Sequence, residues 1–239
     1  MSSINSFKIG IRDGLPICFG YISVSFAFGL FATARGLSVL EAVMISIFNL
    51  TSAGQLAAVP IIVAGGGLFE LIATQIVINL RYALMSVSLS QKMDKTMRAR
   101  DRLVVAFANT DEVFAVASSR EADLGRRYMY GLVIPPFFGW TIGTLLGALA
   151  GNVLPSSLVS ALGIAIYAMF IAIVVPVVRE SKGVAFCSAI AILISIAFFY
   201  IPTLSSVPSG FVIIIAAVIS AGALAVIAPI GEKEDVDNV

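Results

Sequence analysis

Residues 128–178 carry no charged side chain, and neither do residues 183–231. A helix needs about 20 residues to cross the hydrocarbon of a bilayer, so each run is long enough for two spans. Water cannot solvate that much apolar chain. The rest of the sequence agrees, with 59% hydrophobic and 12% charged residues among 239, where soluble domains average about 25% charged. Turns inside the runs fall at Gly151-Asn152-Val153-Leu154-Pro155 and from Ile201-Pro202 to Pro208-Ser209. The apolar stretches are continuous and lack the alternating segments of about ten residues that build a membrane barrel. An all-α, polytopic integral membrane protein is expected.

The apolar segments are 14–34, 39–64, 68–91, 103–119, 129–150, 157–178, 184–201 and 209–229. They predict about six to eight membrane helices, one or two of them broken or re-entrant. One transport domain would cover 1–230, and 231–239 would be a short hydrophilic, disordered tail. Lys8 and Arg12 precede the first segment without a small-residue cleavage pattern, so no cleavable signal is expected. Cys18 and Cys187 stand alone in apolar segments and read as small membrane residues. The chain has no histidine, which removes the commonest metal ligand and near-neutral proton relay. A net charge of +1 points to no polyanion, so no nucleic-acid partner is expected.

Basic residues orient membrane chains because cytoplasmic loops are enriched in them. The richest loops are 92–102 and 120–127, on either side of segment 103–119. If that segment crossed, they would lie on opposite sides; if it dips and returns, both stay cytoplasmic. At about 1.5 Å per residue it barely reaches across, and Asn109-Thr110-Asp111-Glu112 interrupts it. Segment 39–64 is interrupted by Thr51-Ser52-Ala53-Gly54-Gln55 and Pro60. If it is re-entrant too, every basic residue outside the spans except Arg35 lies inside; if it crosses, Lys8 and Arg12 move outside. Re-entry is preferred, since the earliest helix usually sets orientation, and either way the C-terminus is cytoplasmic. Two broken segments entering from opposite faces are a feature of secondary transporters. The echo between Asn49-Leu50-Thr51-Ser52 and Asn109-Thr110-Asp111-Glu112 is too weak to establish a repeat by itself.

Ionisable groups at membrane depth are costly and normally face a bundle interior or a watery cavity. Arg81 sits between the uncharged stretches Leu71–Leu80 and Tyr82–Gln91, and Asp111 and Glu112 are the only charges in Leu103–Ser119. Arg81, with Asn79 and Tyr82, suits bidentate capture of a substrate carboxylate, or a structural ion pair with Asp111 or Glu112. Beside Asn109, a deep carboxylate can hold an ammonium or a proton; Asp111 can also cap a helix break, and Glu112 can be an interfacial, solvated residue. Ser52, Gly54 and Gln55 lie where a half-helix N-terminus would attract a carboxylate, or where small residues pack helices closely. Gly139, Gly143, Gly147 and Gly151 read as helix packing. The sequence has no G-x-x-x-x-G-K-[ST] phosphate loop, no H-E-x-x-H and no histidine for a serine triad. An enzyme is therefore not expected, no cofactor is implied, and a proton gradient is the default energy source.

Six stretches carry a family resemblance: Gly14-Leu15-Pro16-Ile17 with Gly20-Tyr21 and Ala27-Phe28-Gly29; Ser52-Ala53-Gly54-Gln55; Asn79-Leu80-Arg81-Tyr82-Ala83-Leu84-Met85-Ser86; Thr110-Asp111-Glu112-Val113-Phe114-Ala115; Trp140 with Gly143-Thr144-Leu145-Leu146-Gly147; and Ala168-Met169-Phe170-Ile171-Ala172. In that order the chain resembles the AzlC family, the large subunit of two-component branched-chain amino-acid exporters. The resemblance implies a permease of the bacterial inner membrane that exports valine, leucine and isoleucine with a small AzlD-type membrane subunit. Many members carry an acid near the position of Gly163, where this chain has Leu162-Gly163-Ile164-Ala165. The substrate would be a small zwitterion, with Met85, Phe114 and Phe170 around its side chain. A passive channel for small solutes or anions is the alternative from another class, and an intramembrane enzyme is a second.

Overall fold

The computed structural model describes residues 5–121, 123–151, 153–155, 168, 171 and 174–227. Its main helices are α1 (Phe7–Ala34), α2 (Val39–Phe48), α3 (Ser52–Val63), α4 (Leu68–Gln91), α5 (Ala99–Phe107), α6 (Asp111–Ser118), α7 (Arg126–Gly151), α8 (Lys182–Tyr200) and α9 (Ser209–Ile227). Residues 174–180 are also helical. Among the described residues, α1, α4, α7, α8 and α9 are long and apolar enough to cross a membrane. The all-α polytopic expectation holds. Segment 157–178 lies largely outside the described residues, as do Gly163, Phe170 and the tail from 228 onward.

The chain forms two compact units, Met1–Met169 and Phe170–Val239. In the second, α8 and α9 pack as an antiparallel pair about a tight turn in which the Ser205 amide donates to the Ile201 carbonyl at 3.0 Å. Every residue singled out for chemistry except Phe170 lies in the first unit, which is built on α1 and α7. A Cβ added at Gly139 would sit 2.6 Å from the Cys18 carbonyl oxygen, and one at Gly143 2.5 Å from that of Ile22. Gly131 meets the Phe7 carbonyl and Gly147 that of Phe26 in the same way. Contacts that advance together along both helices make the pair parallel. The missing side chains let the backbones approach closely, as small residues do in membrane helices.

Both broken segments are hairpins that return to the end they came from. The Leu124 amide donates to the Lys92 carbonyl at 2.7 Å, the Asp94 amide to the Leu124 carbonyl at 3.1 Å, and the Arg126 amide to Thr96 Oγ1 at 3.1 Å. The start and finish of the α5–α6 segment are therefore tied together. Lys92 Nζ reaches the Ser118 carbonyl at 2.6 Å and also that of Arg120, placing a cation at the α6 C-terminus, where the helix dipole favours one. Asn5 joins this end through the Asp123 carbonyl at 2.8 Å. The basic loops 92–102 and 120–127 thus share one end of the unit with the start of α1, as the re-entrant reading of 103–119 requires.

At the opposite end α1 stops at Arg35, and Gly36 takes a φ of 97°, a left-handed turn that glycine adopts without penalty. Ser38 and Glu41 close a capping box that starts α2 inward: the Glu41 amide donates to Ser38 Oγ at 3.2 Å and the Ser38 amide to Glu41 Oε2 at 2.7 Å. α3 runs back out, Gly65 turns with a φ of 68°, and α4 descends to the basic end. The same spacing separates the two hairpin starts, Ser38 and Arg98, their third helical residues, Glu41 and Asp101, and their broken tips, Asn49 and Asn109. The repeat that sequence alone left too weak to claim is thus present in the backbone.

The core lies among α1, α6 and α7, around Tyr21, Val113, Tyr128, Leu132 and Trp140. α4 instead exposes Phe69, Ile72, Ile76, Leu80, Leu84 and Val87, an apolar stripe at helical spacing suited to lipid.

Candidate functional site

Both broken tips end beside the same aromatic pair. Tyr21 of α1 and Trp140 of α7 stand edge to face, with ring centroids 5.0 Å apart and planes at 81°. Trp140 Nε1 donates to Oε1 of the fully buried Gln55 at 3.2 Å. The Tyr21 hydroxyl lies 2.6 Å from Thr110 Oγ1 and also meets the Glu112 carboxylate. A phenol has one proton, so the order is fixed: Thr110 donates to Tyr21, and Tyr21 donates to Glu112. Thr110 Oγ1 remains the acceptor of the Val113 amide, capping α6.

The second tip gathers the charges. Asp111 and Glu112 occupy the first turn of α6, where the helix dipole favours carboxylates. Arg81 Nη2 lies 2.8 Å from Asp111 Oδ2 and 2.9 Å from the Tyr82 hydroxyl, with the guanidinium 4.7 Å from the Tyr82 ring centroid. The pair is not sealed, for the Arg81 and Asp111 side chains are 51% and 47% exposed. Asn109, buried, donates to Ser86 Oγ at 3.0 Å.

The first tip gathers neutral amides. Asn49 Nδ2 and Asn79 Nδ2 donate to Gln75 Oε1 at 3.0 and 3.1 Å, and Gln75 Nε2 donates to the Gly54 carbonyl at 2.9 Å. Thr51 caps α3 by accepting the Gly54 amide at 3.1 Å. Gln55 Nε2 donates to the Asn49 carbonyl. A side chain at Gly54 has no room, since its Cβ would fall 2.6 Å from Gln75 Oε1.

The structure therefore divides the sequence candidates. Arg81, Tyr82, Asn109, Asp111 and Glu112 meet at the second tip. Asn79, Gly54 and Gln55 meet at the first, where Ser52 opens α3, half-buried. Sequence reasoning passed over Gln75, named Ser86 without giving it a role, and met Tyr21 and Trp140 only inside the family stretches. A signal for the first two exists: Gln75, Asn79, Tyr82 and Ser86 follow steps of four, three and four, one polar face on an apolar helix. Phe114 packs against the buried core. Among the described residues, no cluster of acids and cysteines could hold a metal ion.

Five membrane-length helices and two returning hairpins whose tips carry polar groups to mid-depth define a polytopic α-helical membrane protein of transporter-like build. The AzlC protein family model matches residues 16–154, and the chain belongs to that family. It is 30% identical to the inner membrane protein YgaZ of Escherichia coli (strain K12), over 82% of this chain and 84% of that protein. It is 33% identical to an uncharacterized membrane protein of Archaeoglobus fulgidus, over 74% of this chain and 78% of that one. No solved structure matches.

Proposed function

We propose that this chain is a secondary transporter that exports branched-chain amino acids, as the large subunit of a two-component system with a small AzlD-type membrane subunit. One observation carries the reading: a half-exposed Arg81–Asp111 pair at the centre of a membrane-length helix and a hairpin tip. Lipid does not tolerate such a pair, whereas a water-filled substrate path does. Arg81 takes the substrate carboxylate through its planar fork, displacing Asp111. Glu112, aligned by Tyr21, and the released Asp111 are the acids that meet the ammonium or carry a coupling proton. The substrate leaves chemically unchanged, so the protein is not an enzyme, and no cofactor takes part. The sequence holds no phosphate loop, so an ion gradient drives the cycle. The basic loops face the cytoplasm, and the C-terminus is assigned to the same side by the distribution of basic residues along the sequence. The name of the Escherichia coli relative supports the bacterial inner membrane.

The test is counterflow of leucine, valine and isoleucine in vesicles, with and without a small partner encoded beside the gene. Saturable exchange is expected, and Arg81→Lys should cut it at least about tenfold with the protein still inserted, because lysine lacks the planar fork. Non-saturable flux would instead indicate the channel, and near-normal transport by Arg81→Lys would reduce Arg81 to a charge balancer.

A further inference from the structure

The amides at the first tip leave one group without a partner, and the network fixes which one. The Gly54 carbonyl can only accept, so the Gln75 atom facing it is Nε2. Gln75 Oε1 then faces both asparagines, and each must present its Nδ2. Asn79 Oδ1 is therefore turned away from the cluster, and it is buried with no donor in reach. Exchanging its amide atoms would only set two acceptors, Asn79 Oδ1 and Gln75 Oε1, face to face. A buried acceptor left unpaired is costly, so this oxygen calls for an N–H or O–H from outside the chain.

Asn79 lines a pocket of about 500 Å³ between α2, α3 and α4. That volume, mostly apolar with a few placed polar groups, is typical of small-molecule sites. Met44, Phe48, Ile62 and Leu71 supply apolar wall, and Asn49, Gln75 and Asn79 form the polar part. α2 ends at Phe48, in the same wall, so its last carbonyls and the negative end of its dipole favour a cation there. Half-helix C-termini take cations in the same way in other transporters. Tyr82 lies one turn beyond Asn79 on the same face of α4, and the Arg81 guanidinium is drawn onto its hydroxyl at 2.9 Å. A carboxylate held by Arg81 thus has room for its other end on the pocket side.

We infer that this pocket binds a small ammonium compound with an aliphatic body, the N–H of the ligand meeting Asn79 Oδ1 and the aliphatic part lying against Met44, Phe48, Ile62 and Leu71. Resting on the transport reading above, it is the side-chain and ammonium subsite of the exported amino acid, and it leaves Glu112 free for the coupling proton. Side-chain selectivity then sits at the first tip, not around Met85 and Phe114.

The experiment uses the purified full chain in detergent, with 3-methylbutylamine and 3-methylbutanoate as probes, and leucine counterflow in vesicles. The amine at millimolar concentration should raise the melting temperature of the wild type by about a few degrees, and the carboxylate by less. Asn79→Leu should melt no lower than the wild type, because it removes the unpaired acceptor, yet lose the amine shift. Ile62→Trp, on the half-open wall, fills the pocket; it should lose the shift with 3-methylbutylamine, keep it with ethylamine, and raise the leucine KM about tenfold more than that of alanine. No amine shift in the wild type, or a shift unchanged in both variants, overturns the subsite. So does normal leucine transport by both variants, and the transport reading would then stand without it. An amine shift that both variants lose, in a wild type that moves no leucine, keeps the subsite and removes the transport reading.

Discussion

The first hairpin carries neutral amides to the middle of the molecule, and the second carries carboxylates. The backbone device is otherwise the same. Each hairpin starts with an acid that reaches back to its N-cap amide, Glu41 to Ser38 at 2.7 Å and Asp101 to Arg98 at 3.0 Å. Each tip carries an asparagine that donates to α4, Asn49 to Gln75 and Asn109 to Ser86. Each tip is also held by one member of the Tyr21–Trp140 pair. What differs is solvation. Gln55 is fully buried because both ends of its own amide are answered by protein, Oε1 by Trp140 and Nε2 by the Asn49 carbonyl. Asp111 and Arg81 remain half exposed, because burying a charge costs more than burying an amide. Water and the substrate carboxylate therefore belong to the second tip, and shape selection to the first.

The largest expected effect breaks the charged tip. Asp111→Asn leaves the Arg81 guanidinium unpaired at membrane depth, and should lower detergent melting temperature and abolish transport. Arg81→Gln should do the same. The double variant should regain stability, since no orphan charge remains, and stay inactive. A coupling energy of about 1–3 kcal/mol between the two sites is expected. Destabilisations that simply add would show that Arg81 and Asp111 act separately, and Glu112 would become the better partner.

A next, smaller effect breaks the neutral tip by bulk. Gly54→Ala puts a Cβ against Gln75 Oε1 and Thr51 Oγ1. The amide cluster has no slack, so a loss of about 1–3 kcal/mol is expected, the cost of overpacking a filled site. Gly20→Ala is the control, because its Cβ would meet nothing within 4 Å. Equal melting temperatures for the two variants would mean that the first tip is looser than its hydrogen bonds indicate.

The two tips can be compared directly through their aromatic holders. Trp140 is the only tryptophan in the chain, so its fluorescence reports on the first tip. Gln55→Leu removes the indole acceptor and should blue-shift the emission, with a stability loss of about 1–2 kcal/mol. Tyr21→Phe removes the donor to Glu112 and should leave the emission maximum nearly unchanged while altering the pH dependence of transport. If Tyr21→Phe shifts the emission as far as Gln55→Leu does, the tips are coupled through the aromatic pair rather than held independently by it.

Much of this arrangement is legible in the sequence, and the rest is hidden for physical reasons. Charge-free length gives the spans, and the basic loops around 103–119 give its return. Arg81 and Asp111 stand out because charge at membrane depth is rare, and the structure joins them. The amide cluster is harder to see, since glutamine and asparagine in an apolar helix carry no comparable cost signal. Gln75 becomes visible only as the first member of the polar face that runs through Asn79, Tyr82 and Ser86. The pairing of Tyr21 with Trp140 depends on α1 and α7 running in parallel, a long-range fact with no local signature. The hairpin repeat is faint because it is written in caps and tips, while the residues between follow the separate needs of lipid, core and ligand.

The smallest expected effect lies at the base of the second hairpin. Burial acts to raise the Asp101 pKa, but the Tyr130 hydroxyl at 2.8 Å, the Arg98 amide and the nearby Arg126 and Arg100 outweigh it and hold the carboxyl below the usual aspartate range. A carboxyl whose pKa is lower folded than unfolded stabilises the native state at pH above the unfolded value, and that stability fades as pH falls through the folded one. Asp101→Asn should therefore melt a few degrees below wild type at neutral pH, and the gap should narrow only as the pH falls below about 4, the usual aspartate value. Glu41 occupies the matching place in the first hairpin, but its bonds to Ser38 are exposed to solvent. Glu41→Gln should accordingly cost less than Asp101→Asn, because an exposed hydrogen bond competes with water at both ends. The reverse order would mean that the first hairpin, not the second, is pinned at its base, and the division between a neutral first tip and a charged second one would have to be drawn again.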